Sequence, residues 1–225
     1  MRPLRTLYAS GKPIISFELF PPKTETGMNN LLEHLKELAI CKPAYITCTY
    51  GAGGSTRDRT LKALEEVRQR YPQISIASHL SCIGSSRNEL REFINRAIAI
   101  GVDRIVALRG DTPKDQEEFQ PAPNGFRYAN ELVTLLHEEF PELGVIVAGY
   151  PETHPEAPSS AADLENLKRK VDAGADVVVT QMFFENTDYF RFRDRCGDMG
   201  ITVPIVPGLL PVTNLTQIRR ITSLC

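Results

Sequence analysis

Glu18, Thr49, His79, Arg109, Tyr150 and Gln181 follow one another at intervals of 31, 30, 30, 41 and 31 residues. Each stands near the C-terminal end of an apolar, β-prone run. Their side chains include a carboxylate, an imidazole, a guanidinium and an amide, the groups that move protons, grip anions and fix polar ligands. Glu18 lies inside Ile14-Ile15-Ser16-Phe17-Glu18-Leu19-Phe20, ahead of Pro21 and Pro22, which cannot continue a ladder. An ionised carboxylate among apolar neighbours is costly, so a strand carries one that is paired, protonated or catalytic. The plain alternative is an ion pair with an arginine across the sheet, and this strand alone leaves the two open. If the apolar strand raises its pKa, Glu18 can donate a proton at neutral pH.

The elements that must position these residues alternate regularly. Strand-like runs fall at 14–20, 44–49, 74–80, 103–108, 144–150, 176–183 and 203–209. Helical spacing lies between them: Leu31, Leu35 and Leu38; Leu61, Leu64 and Val67; Leu90, Phe93, Ala97 and Ile98; Leu132, Val133 and Leu136; Leu164, Leu167 and Val171. Ser86 and Glu89 stand at capping-box spacing, and Gly101 and Gly174 mark helix ends. The sixth helix, around Tyr189–Cys196, reads as shorter, and a last one begins near Thr213. Apolar strands alternating with amphipathic helices predict a parallel sheet covered by helices. Polar residues at one end of successive strands predict an α/β fold of the (β/α)8 type, with its site at that end. Residues 111–125, rich in Pro and Gln, read as an enlarged loop over that face.

A doubly wound sheet is the runner-up; its phosphate loop would have to be Gly51-Ala52-Gly53-Gly54-Ser55-Thr56, where Thr56 replaces the last glycine. Residues 1–225 read as one barrel domain with seven strands. The closed template takes eight, so one further βα unit of ~30 residues is expected to complete it.

Composition narrows the classes. The 225 residues are 42% apolar, enough for a sizeable core, and 26 basic against 28 acidic residues give a net charge of -2. That balance speaks against nucleic acid or a membrane surface as partner. No apolar run approaches the ~20 residues of a membrane span. The start, Met1 to Arg5 and on through Gly11 and Pro13, carries no signal-peptide core, so the expected location is the cytoplasm. Five cysteines without C-x-x-C and four scattered histidines predict neither a metal site nor a disulfide framework.

Three loops add chemistry. Arg109-Gly110-Asp111 offers a guanidinium and a carboxylate at one strand end, or simply an ion pair within the loop. Tyr150-Pro151-Glu152-Thr153-His154-Pro155-Glu156 is a stiff loop that holds Tyr and His together, suited to a flat phosphorylated cofactor. In the following helix Asp163 and Lys170 share a face whose N-terminal end adjoins that loop. Thr180-Gln181-Met182-Phe183-Phe184 sets an amide beside aromatics.

Together Phe17 through Lys23, Thr49 through Gly54, His79-Leu80-Ser81-Cys82, Leu108 through Asp111, Tyr150 through Glu156 and Thr180-Gln181 resemble the methylenetetrahydrofolate reductase family over essentially the whole chain. The resemblance implies a (β/α)8 flavoprotein that binds FAD. It also implies reduction of 5,10-methylenetetrahydrofolate to 5-methyltetrahydrofolate by NADH or NADPH in two half-reactions, with a homo-oligomer expected. By position, Glu18 matches the general acid, Thr49 a nicotinamide contact, and Gln181 a contact shared by nicotinamide and folate. Tyr50, Ala52, His79, Arg109, Gly110, Asp111, Tyr128, Ala129, Tyr150, His154, Ala157, Asp163, Asn166, Arg169 and Lys170 match positions lining FAD, and Gln217 a folate contact. Ile221 stands where bacterial members place an aromatic, and the eighth strand would bring an arginine to folate.

Two other classes compete. One is a non-catalytic flavin- or folate-binding module. The other is a related barrel reductase that draws electrons from a partner protein instead of a nicotinamide.

Overall fold

The computed structural model describes residues 4–50, 57–112, 120–212 and 214–222. The apolar runs form seven strands: β1 (Ser16–Leu19), β2 (Tyr45–Cys48), β3 (Ser75–Ser81), β4 (Val102–Leu108), β5 (Gly144–Gly149), β6 (Val177–Thr180) and β7 (Ile205–Val206). They lie in one parallel sheet in sequence order, each hydrogen-bonded to the next. Ser16 pairs with Tyr45 and Tyr45 with Ser75, and the register runs on in the same sense to Val178–Ile205. A sheet with no reversal of strand order is a curled, barrel-type sheet and not a doubly wound one. β1 and β7 are its two ends.

Helices return each strand to the bottom of the sheet. They are α2 (Glu25–Ile40), α3 (Arg57–Arg70), α4 (Arg87–Ala99), α5 (Ala129–Glu139), α6 (Ser160–Asp172), α7 (Asn186–Asp198) and α8 (Leu215–Thr222). The starts of α2 and α6 are fixed by hydroxyls: Thr24 accepts from Gly27 N–H at 3.0 Å, and Ser159 from Ala162 N–H at 3.1 Å. The capping box of Ser86 and Glu89 is present in both directions. Gly174 ends α6 at φ 118°, a conformation an L side chain avoids, and a Cβ there would meet the His137 ring at 2.8 Å. α7 departs from expectation. It runs 13 residues, as long as α4 and α6, although no side chain caps its start.

Alternation along the strands sends side chains to two separate cores. Ile46, Ile76, Ile105, Val147 and Val178 face outward and meet Leu35, Leu64, Leu90, Leu136 and Leu167 from the helices. Tyr45, Ala77, Val106, Ile146 and Val177 face inward. The floor beneath them is closed by an unanticipated N-terminal turn of helix, α1 (Leu4–Leu7), and the 3-10 turn Tyr8–Ser10. Leu4 is buried there, Arg5 reaches Asp176 at 3.0 Å, and the Tyr8 and Tyr45 hydroxyls meet at 3.1 Å. Of the loop expected over 111–125, residues 113–119 lie outside the described residues. Its far end is anchored where Gly125 bridges Ser86 and Arg87 N–H donates to Asn124 C=O at 3.1 Å.

Candidate active site

With the floor plugged, the open end of the sheet is left as a cavity of about 830 Å³ at the C-terminal ends of the strands. That size suits a small-molecule or cofactor site. It gathers Glu18, Tyr50, His79, Arg109, Gly110, Asp111, Tyr128, Ala129, Tyr150, His154, Ala157, Asp163, Asn166, Arg169, Lys170 and Gln181. Thr49 does not line it; its carbonyl instead accepts from the Thr60 hydroxyl at 2.9 Å behind the sheet. Ala52 lies outside the described residues, as does the side chain of Gln217, whose backbone belongs to α8.

Glu18 corrects the expectation of a carboxylate sealed among apolar side chains with a raised pKa. The strand's alternation turns Phe17 toward the helices and Glu18 into the cavity, where 48% of its side chain stays exposed. Nor is its partner an arginine. Glu18 Oε2 reaches over β2 to His79 Nε2 on β3, at 3.2 Å. Desolvation pushes the carboxyl up, but the imidazole outweighs it and holds Glu18 below the ordinary carboxylate range. The contact lacks the N–H alignment of a full hydrogen bond, and His79 Nε2 is buried with no other partner among the described residues. Thr47 Oγ1, on the same wall, is also buried and has no partner among the described residues.

The rim is a charged network. Arg109 donates twice to Glu156, Nη1 to Oε2 and Nη2 to Oε1, both at 2.7 Å, and Nε donates to Gly110 C=O at 3.0 Å. The hydrogen bonds to Glu156 raise the Arg109 pKa. Asp111, the partner considered within the loop, adds a smaller electrostatic pull on Arg109. Gly110 permits the turn at φ 91°, where a Cβ would fall 2.5 Å from Ile83. His154 Nδ1 accepts from Glu156 N–H and Asp163 accepts from His154 N–H, each at 3.0 Å. Burial, then Arg109, push the His154 ring below its ordinary pKa, which favours its neutral form. Its ring meets Tyr150 edge-on at 4.6 Å.

Deeper in, Lys170 Nζ donates to Ala148 C=O at 2.6 Å, and burial pushes its ammonium down to about 8. Arg169 Nη1 donates to Asn166 Oδ1 at 2.6 Å, and Gln181 accepts from Met182 N–H at 2.9 Å. Arg57 Nε donates to the Tyr50 hydroxyl, whose ring packs edge-on to Phe93 at 5.8 Å.

Three residues that shape this site were not singled out from sequence. Strand alternation with Tyr45 places Thr47 inward, so its position was available. Glu156 stood within the Tyr150 loop, but its pairing 47 residues back to Arg109 had no sequence signal. Arg57, after a glycine-rich segment, had none either.

Buried polar atoms want partners, and His79 Nε2 and Thr47 Oγ1 point into a cavity ringed by cations and aromatic faces. Those residues fit a large, polar, anionic ligand with a flat ring. A parallel barrel-type sheet with such a pocket at its C-terminal face defines a TIM-type barrel enzyme by fold and site. The family model for methylenetetrahydrofolate reductase matches residues 3–225, and the chain belongs to that family. It is 44% identical over 214 residues to the 5,10-methylenetetrahydrofolate reductase of Pectobacterium carotovorum subsp. carotovorum, covering 95% of this chain and 69% of the relative. Against the 5,10-methylenetetrahydrofolate reductase of Escherichia coli (strain K12), identity is 43% over 210 residues, covering 93% and 68%. Among solved structures, 3-dehydroquinate dehydratase from Geobacillus kaustophilus HTA426 shares the fold alone, with a TM-score of 0.57 at 13% identity, covering 88% of this chain and 73% of that one. Among the described residues no helix is long and apolar enough to cross a membrane.

Proposed function

We propose that this chain, acting as a single barrel domain, reduces 5,10-methylenetetrahydrofolate to 5-methyltetrahydrofolate with FAD as cofactor and NADH or NADPH as electron source. The observation that carries this reading is one cavity at the C-terminal strand ends with Glu18 on its wall and cations on its rim. Family membership supplies the substrate class. FAD, when bound, carries the hydride from the pyridine nucleotide to the folate.

The protein's share is orientation, charge and a proton. Arg109, in competition with Glu156, and Lys170 are the cations assigned to the cofactor's phosphates or the groups beside them. Tyr50, Tyr128 and Tyr150 offer aromatic faces, and Gln181 an amide that can both donate and accept. The methylene bridge of the folate reacts once its ring opens to an iminium, which requires a proton on the departing nitrogen. Glu18, open to the cavity, is the acid assigned to that step.

Anaerobic addition of NADH or NADPH to the FAD-loaded protein tests the reading. Bleaching of the flavin absorbance, followed by its return on adding methylenetetrahydrofolate, is the expected result. No bleaching by either nucleotide would favour electrons from a partner protein. Bleaching without return would leave a nucleotide-oxidising flavoprotein and remove folate.

A further inference from the structure

Glu18 is the exposed partner of its pair and His79 the buried one. The Glu18 side chain is 48% exposed on the cavity wall, whereas His79 is 12% exposed. His79 Nε2 is buried, and its contact with the carboxylate is close in distance but poorly aligned. The Thr47 hydroxyl beside it on β2 has no partner among the described residues. Two buried polar groups thus face one cavity without well-formed hydrogen bonds, and among the described residues the carboxylate against His79 is the half-exposed Glu18. Resting on the functional reading above, we propose that His79 is a positioning residue: it detains Glu18 as a carboxylate in the ligand-free pocket and hands its N–H to the bound cofactor, releasing Glu18 to take up the proton it delivers.

The charges around the carboxylate leave His79 in control. Cys48, on β2, also feels Glu18, but burial pushes its thiol up to about 12, so it stays neutral. Tyr45 from β2 and Tyr50, two residues past its end, line the same cavity, and Lys170 from α6 is engaged by Ala148 C=O. Arg109 is held at the rim by Glu156. Once His79 is engaged elsewhere, desolvation is what remains, and desolvation favours the protonated acid. The acid is then armed for the folate only when the cofactor is in place.

Carbon-13 NMR of the glutamate carboxyls, followed through a pH titration, reads this directly. In the ligand-free protein Glu18 should titrate below free glutamate. In ligand-free His79→Leu it should titrate above it, with His79→Gln, which keeps an N–H but no charge, in between. Loading the wild type with FAD should raise the proton affinity of Glu18 tenfold or more, a comparison that requires no variant to fold. If FAD binds and leaves Glu18 unmoved, the hand-over is overturned while the functional reading stands. If FAD does not bind, both fall. A ligand-free His79→Leu protein in which Glu18 titrates as in wild type would show that His79 does not hold it.

Discussion

Arg109 and Glu156, 47 residues apart, close a two-pronged ion pair across the mouth of the barrel, both prongs at 2.7 Å. Glu156 is half exposed and Arg109 less so, so the pair adds little to stability. Its consequence is for binding, because the fork that would grip an anion is already occupied. Arg109→Met should speed FAD release on dilution about tenfold, in line with losing one charge-assisted hydrogen bond. Glu156→Gln removes a competitor and should leave retention the same or better. Equal loss in both variants would make Glu156 part of the cradle instead.

Lys170 gives a pH signature. The folded ammonium has a pKa of about 8 against an ordinary 10.5. Between those values the unfolded chain binds a proton that the folded one does not, so stability should rise with pH through that window. Discounted for the partly exposed side chain, the gain is roughly 2 kcal/mol. Urea titrations at pH 7 and pH 10 should therefore show a smaller difference in Lys170→Met than in wild type. The same variant should release FAD faster; unchanged release would leave Lys170 a bond to the Ala148 carbonyl and nothing more.

Asp111 lines the cavity just past β4. A fixed negative charge beside a group that gains electrons opposes their arrival. Asp111→Asn should raise the midpoint potential of bound FAD by ~30 mV, if the change is about 1.4 kcal/mol for two electrons. A potential that stays or falls would move Asp111 away from the ring.

The floor of the barrel should behave as scaffold. Leu4 is buried against the inward-facing side chains of β2 to β6. Leu4→Ala should cost ~2–5 kcal/mol in urea unfolding. FAD affinity should stay within about twofold, since the site is at the opposite end. A large loss of affinity with little loss of stability would contradict that division.

The sequence carried the sheet plainly. Uninterrupted apolar runs such as Ile105-Val106-Ala107-Leu108, each followed by a helix with leucines three or four apart, allow little else. The thirty-residue repeat also anticipated that Glu18, His79, Arg109 and Gln181 come to one cavity. What it could not show is who meets whom. Glu18 finds its partner two strands away because its side chain crosses β2, a reach set by barrel curvature. That contact reverses the direction expected for its pKa. The α1 plug was silent because four residues carry no period. α7 was read short because only Phe192 and Cys196 are buried along its 13 residues.

If Glu18 supplies a proton to the folate, and only there, removing its acidity should separate the two half-reactions. Glu18→Gln keeps shape and hydrogen bonding but cannot act as an acid. In stopped-flow, bleaching of the flavin by NADH or NADPH should survive within about tenfold, since general acid help is not called on in that half. Return of the flavin absorbance on mixing with methylenetetrahydrofolate should slow by ~10²-fold or more, the usual share of general acid catalysis. Equal slowing of both halves together with a lowered melting temperature would contradict the account and make Glu18 a structural partner of His79.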